Sequence, residues 1–207
     1  MSAAIGALRA ADPVLAGLID AVGLDPPAPR PDRPPPGEHY AALVRTIAGQ
    51  QLSVLAARAI WTKLLAAFGG RPPTPQEVLD ADPEELRAAA GLSRAKVSYL
   101  RSLAEHVRSG ELELDRLEEL SDEEVVAELT AVRGIGEWSA HMFLMFQLER
   151  PDVLATGDLG IRRAVQLAYG LPGLPAPAEL VRLAEAWRPY RTTACLYLWR
   201  SLEKSPQ

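Results

Sequence analysis

With 207 residues, 48% of them apolar, the chain is long enough to bury a sizeable core in one compact domain or two packed lobes. The formal charge of −5 argues at first sight against a nucleic-acid partner, but nine acids fall between residues 111 and 128 beside a single arginine, so the remainder is net positive. Cys195 is the only cysteine, no apolar run approaches the roughly 18 residues that cross a bilayer, and MSAAIGALRAADP has no basic segment ahead of an apolar one; this excludes an internal disulfide and a cysteine-held zinc or iron–sulfur cluster, and points to the cytoplasm.

In chain order, apolar spacing of three and four predicts a leading helix over 11–22. Residues 25–36 hold seven prolines and read as an extended, stiff connector, which sets 1–36 apart from a body over 37–207. Helices follow over 38–49, 53–68, 75–80, 83–90, 93–109, 121–131, 137–148, 159–169, 177–187 and 190–203. Thr74-Pro-Gln-Glu77, Asp82-Pro-Glu-Glu85 and Ser121-Asp-Glu-Glu124 read as capped openings. No segment alternates as a strand does, so the fold class is all α. Arg87, Arg94, Lys96, Arg101 and Arg108 face only Glu105 between positions 87 and 108, and Arg188, Arg191 and Arg200 have no acid among them. Such runs suit a basic face or a solvated helix surface.

From Leu129 to Ala140 a helix stops, turns through Gly134 and Gly136, and restarts. The glycines permit backbone angles and close approach that side chains obstruct, while Ile135 plugs between the helices. Amides at the new helix start, with the positive dipole end, suit a backbone phosphate and read no base sequence. Alone, a Gly-x-Gly is an ordinary helix turn.

This stretch, with Val153-Leu-Ala-Thr-Gly-Asp158 after it and Arg45-Thr-Ile-Ala-Gly-Gln-Gln-Leu-Ser53 before it, resembles the DNA glycosylase superfamily named for a helix-hairpin-helix, a Gly/Pro-rich loop and an aspartate. Trp187-Arg-Pro-Tyr-Arg-Thr-Thr-Ala-Cys-Leu-Tyr-Leu-Trp199 is similar to the bacterial 3-methyladenine type II branch, and the likeness covers about 38–203. It implies two interleaved helical lobes, one centred on 53–160 with the hairpin and one of N- and C-terminal helices, with a cleft between them. The longer members' mixed α/β N-terminal domain has no counterpart.

The resemblance implies a monomer that flips a damaged purine out of duplex DNA and hydrolyses its N-glycosidic bond. Asp158 is the catalytic carboxylate for the positive charge that develops on the sugar; by itself it reads as an N-cap, where amides and the helix dipole favour negative charge. Trp138 and Trp199 match positions facing the extruded base, Met142 lies one turn beyond Trp138, and Tyr40 stands in for pocket residues of the absent domain. Gly134, Ile135, Gly136 and Ser139 form the phosphate-binding hairpin, and the backbones of Thr130, Val132 and Ile135 match those that hold a structural Na+ or K+. Gln51 occupies the intercalating wedge position, with Leu52 its neighbour. Strand-cutting members carry a lysine for Schiff-base chemistry where this chain has Trp138, so an intact abasic site is the expected product. Trp61 and Trp187 read as core, and His39, His106 and His141 have no ligand spacing. Alkylated purines are the expected substrates; the alternatives are deaminated or oxidised purines, or a protein that binds damage without hydrolysis.

Overall fold

The computed structural model describes residues 2–23, 34–35 and 37–204; most of the connector expected over 25–36 lies outside them. Every regular element among the described residues is helical: α1 (Ser2–Ala11), α2 (Pro13–Val22), α3 (His39–Gly49), α4 (Val54–Ala67), α5 (Pro75–Asp80), α6 (Pro83–Ala90), α7 (Arg94–Ser109), α8 (Asp122–Ala131), α9 (Glu137–Phe146), α10 (Leu159–Ala168), α11 (Pro177–Leu183) and α12 (Arg191–Lys204), with 3-10 turns at Leu114–Arg116 and Ala184–Trp187. None is long and apolar enough to cross a membrane.

The start signals act as their chemistry dictates. Thr74 and Ser121 accept the amides of Glu77 and Glu124, whose carboxylates return the bond to the capping residues' own amides at 2.8 Å. Asp82 accepts the amides of Glu84 and Glu85. The leading helix expected over 11–22 is α2 (Pro13–Val22), and a further helix, α1 (Ser2–Ala11), precedes it. Ala4 and Leu8, one turn apart, bury the face of α1. Asp12 then breaks the run, because its side chain takes the Val14 and Leu15 amides at 2.8 and 3.1 Å and Pro13 cannot extend the preceding turn. Likewise 177–187 divides into α11 and a tighter 3-10 turn.

The chain falls into two compact units: unit 1 of residues 1–30 and 144–207, and unit 2 of residues 31–143. Residues 144–160, assigned to the hairpin lobe on sequence, thus cluster with the terminal helices. The start of α12 holds them there: the Thr192 hydroxyl donates to the Arg150 carbonyl at 2.7 Å and accepts the Val153 amide at 3.0 Å, and the Thr192 amide donates to the Pro151 carbonyl at 3.0 Å. Unit 1 packs around Leu8, Leu15, Ile19, Trp187, Tyr197 and Leu198, and unit 2 around Leu43, Ile47, Leu64, Val78, Leu100 and Leu129. Trp61 and Trp187 are core residues, as expected.

Candidate active site and nucleic-acid interface

In unit 1, the loop after α9 delivers Asp158 to the start of α10. The Asp158 amide donates to the Ala155 carbonyl at 3.0 Å, and its extended backbone aims the side chain at the helix it caps. Oδ1 accepts the Ile161 amide at 2.7 Å and the Trp199 indole N–H at 2.9 Å, and the residue is only 9% exposed. A buried carboxylate oxygen with two donors is confined to one orientation. Gly160 makes the approach feasible: a Cβ there would lie 3.1 Å from Asp158 Oδ1 and 3.2 Å from Trp199 Cδ1. Trp199, half-buried on α12, stacks on Phe146 with ring centres 6.0 Å apart and 22° between planes. The resemblance implied that Trp199 faces a base; a bond to the aspartate was invisible at a separation of 41 residues.

Arg188 and Arg191, read as candidates for a basic face, are both engaged by Asp152, Arg188 at the surface and Arg191 largely buried. Arg188 reaches Asp152 Oδ2 at 2.6 Å; Arg191 reaches Asp152 Oδ1 at 2.8 Å and the Asp152 carbonyl at 2.6 Å. Both guanidiniums therefore hold the segment that leads to Asp158, and Arg191 is largely buried. A spacing argument along one helix misses this because the balancing acid lies about 40 positions earlier.

In unit 2, α8 ends at Ala131 with Val132 as its cap, the chain turns with an Ile135 amide to Val132 carbonyl bond of 3.1 Å, and α9 begins. Ile135 is 4% exposed, the plug expected between the helices. The two glycines differ. Gly134 has φ +92°, and a Cβ there would fall 2.1 Å from Tyr99 Cγ, so both conformation and packing demand glycine. At Gly136 an added Cβ would meet open space, so the chain's own packing places no such demand. Ser139, expected to bind phosphate, is 4% exposed, its hydroxyl 3.4 Å from Gln50 Nε2. It supports the loop from beneath; Arg133, Gly136, Glu137 and Trp138 are what the hairpin exposes.

Gln50, which no local motif singles out, ties two loops together. Its amide donates to the Gly134 carbonyl at 2.8 Å and joins the turn between α3 and α4 to the hairpin. The Lys96 ammonium, its pKa lowered by burial, donates to the Ala48 carbonyl at 2.8 Å at the end of α3. Beyond these anchors Gln51 takes a left-handed φ of +58°, uncommon for a side-chain-bearing residue, and residues 51–55 are all exposed. Leu52, Val54 and Leu55 present apolar surface there, Leu55 at 78% exposure. Leu55 sits about 120° around α4 from buried Trp61, a signal legible in its spacing.

Trp138, 44% exposed in the first turn of α9, and half-buried Met142 follow one helical face at a spacing of four. Tyr40 on α3 is half-buried; its hydroxyl has no hydrogen-bond partner among the described residues, and burial pushes its pKa up. Cys195 is fully buried and pushed up to about 12 by that burial, which leaves no thiolate for chemistry. The histidines serve locally: His39 meets Glu118 at 3.3 Å and the Phe143 ring edge-on, His106 bonds the Ser102 carbonyl, and His141 faces Glu137 with its pKa lowered by burial. No cluster of His, Cys, Asp and Glu able to hold a metal exists among the described residues.

Comparison with known proteins extends this picture. Residues 44–189 match the family model described as HhH-GPD superfamily base excision DNA repair protein. DNA-3-methyladenine glycosylase 1 of Schizosaccharomyces pombe is 39% identical over 166 residues, 79% of this chain and 72% of that protein. Among solved structures, the S. pombe 3-methyladenine DNA glycosylase in complex with abasic DNA aligns at TM-score 0.85 and 35% identity, over 98% of this chain and 97% of that one. The DNA-3-methyladenine glycosidase of Bacillus halodurans aligns at 0.83 and 37%, over 97% and 89%.

Proposed function

Because this chain belongs to the HhH-GPD superfamily of base excision DNA repair proteins, we propose that it is a monofunctional DNA glycosylase that releases alkylated purines from duplex DNA by hydrolysis. The observation that carries the chemistry is Asp158, its Oδ1 held by the Ile161 amide and the Trp199 indole at 2.7 and 2.9 Å.

Loss of a purine leaves positive charge spread over the sugar ring. A carboxylate whose orientation is set before the substrate arrives stabilises that charge with little reorganisation, and it orients the water that attacks the anomeric carbon. Burial strengthens the effect by lowering the local dielectric. Alkylation makes the base itself cationic, which suits the exposed indole face of Trp138, with Met142 and Tyr40 as further pocket contacts. Unit 2 supplies the grip on DNA: the hairpin through Gly134 and Gly136, and a wedge from the turn at Gln51 and Leu52 that fills the space of the extruded nucleotide. A monovalent cation on the Thr130, Val132 and Ile135 carbonyls belongs to the same reading; the Val132 carbonyl already takes one amide and has a lone pair left for an ion. No step of the hydrolysis passes through it. Trp138 supplies no amine, so no Schiff base forms with the sugar and the strand stays intact. The enzyme works as a monomer in the cytoplasm, where its substrate lies.

Mass spectrometry of bases released from methylated genomic DNA tests this reading. Free 3-methyladenine and 7-methylguanine, with no strand breaks, are the expected products; release of hypoxanthine or an oxidised purine alone would redirect the specificity, and binding without any release would overturn the activity.

A further inference from the structure

Unit 2 carries a basic groove that the hydrolysis does not use. The groove, of about 530 Å³, runs between α6 and α7, and Arg87, Arg94, Arg101 and Arg133 line it against Glu84 and Glu105 alone. The excess of positive charge stands out in a chain of net charge −5. Arg101 is locked in place, donating to the carbonyls of Val78, Leu79 and Ala81 at 3.2, 3.0 and 3.3 Å at the end of α5. Arg87 and Arg94 share one exposed carboxylate, Glu84, at 2.7 and 3.1 Å. Surface pairs of this kind contribute little, and one carboxylate cannot neutralise two guanidiniums, so both remain available to a stronger anion.

The groove continues into the hairpin. Arg133 immediately precedes Gly134, and its guanidinium lies 6.0 Å from the centre of the Tyr99 ring, the ring that underlies Gly134. A strand whose phosphate rests on the hairpin can therefore pass its next phosphates along a row of arginines. Fork-shaped guanidiniums suit phosphodiester oxygens, and two serines, Ser98 and Ser102, add neutral donors to the wall.

We propose that this groove is an extended binding site for the DNA backbone, which takes phosphates beyond the one on the hairpin and reads no sequence. It rests on the proposed DNA-directed function but not on the hydrolysis. The test is equilibrium binding of an undamaged synthetic duplex, between about 50 and 200 mM salt, by the full chain and by Arg87→Gln, Arg94→Gln and Glu105→Gln. Each arginine variant is expected to lower the slope of log affinity against log salt by about one, with a several-fold loss of affinity that is equal for damaged and undamaged duplex. Glu105→Gln is expected to bind several-fold more tightly, a gain that an impaired fold cannot produce. Unchanged slopes in both arginine variants, or an unchanged affinity in Glu105→Gln, would overturn the groove. A parent chain that binds DNA but excises nothing would refute the glycosylase reading and leave the groove standing; a parent that binds no duplex would overturn both.

Discussion

Asp12 and Asp158 are built from the same parts. Each caps a helix of unit 1, each is less than a tenth exposed, and each accepts an indole N–H at 2.9 Å, from Trp187 and Trp199 respectively. Their surroundings diverge. Asp12 engages both oxygens: Oδ1 takes the Val14 and Leu15 amides, and Oδ2 takes the Tyr169 hydroxyl as well as Trp187. Its indole partner is wholly buried. Asp158 takes the Ile161 amide and the Trp199 indole on Oδ1, and Trp199 is half-buried against Phe146. A capping aspartate with an indole partner is thus a structural device in one place and a candidate catalytic device in the other; the exposure of the indole partner distinguishes them.

The largest separation is expected from truncation. Asp12→Ala removes a cap and strands two buried donors, at a cost of about 3–4 kcal/mol in thermal or urea unfolding. The surviving folded protein should still release base. Exchange of each indole for phenyl sharpens the contrast. Trp187→Phe is expected to cost about 2–3 kcal/mol through the lost bond and a cavity, with little change in release per folded molecule. Trp199→Phe keeps an aromatic face for stacking but frees the carboxylate to turn, so single-turnover release should slow about tenfold while stability falls by about 1 kcal/mol. If Trp199 only stacked, the phenyl variant would release base at nearly the parental rate.

The smallest effect concerns pH. Burial alone would raise the Asp12 carboxyl, but the bonds from Tyr169, Trp187, Leu15 and Val14 outweigh it and hold it below the ordinary carboxylate value of about 3.9. A depressed folded pKa stabilises the fold above the unfolded value, and that contribution is lost as pH falls through the folded one. Stability measured below about pH 5 should therefore fall less steeply in Asp12→Asn, which has no proton to take up there.

Helical periodicity and capping chemistry made the fold class and most element positions legible, because these depend on neighbours three and four residues apart. Thr74, Asp82 and Ser121 cap where their side chains predict. Features that depend on distant partners were not legible. Asp12 closes through Tyr169 and Trp187, over 150 residues away, Arg188 and Arg191 pair with Asp152, and Gln50 reaches Gly134 across 84 positions. The candidate site shows the same division. A glycine's need for room at Gly134 depends on Tyr99, and Ser139 lies beneath the hairpin rather than on it, neither of which the local motif encodes.

Single-turnover release of 3-methyladenine from methylated duplex by Asp158→Asn, beside Asp12→Asn, addresses the central assignment most directly. Asparagine caps as well as aspartate, so the α10 start should survive the first exchange and duplex affinity should be retained. Release is expected to fall by at least about a hundredfold in Asp158→Asn and to stay near the parental rate in Asp12→Asn. Parental release by Asp158→Asn would contradict the assignment of Asp158 as the catalytic carboxylate.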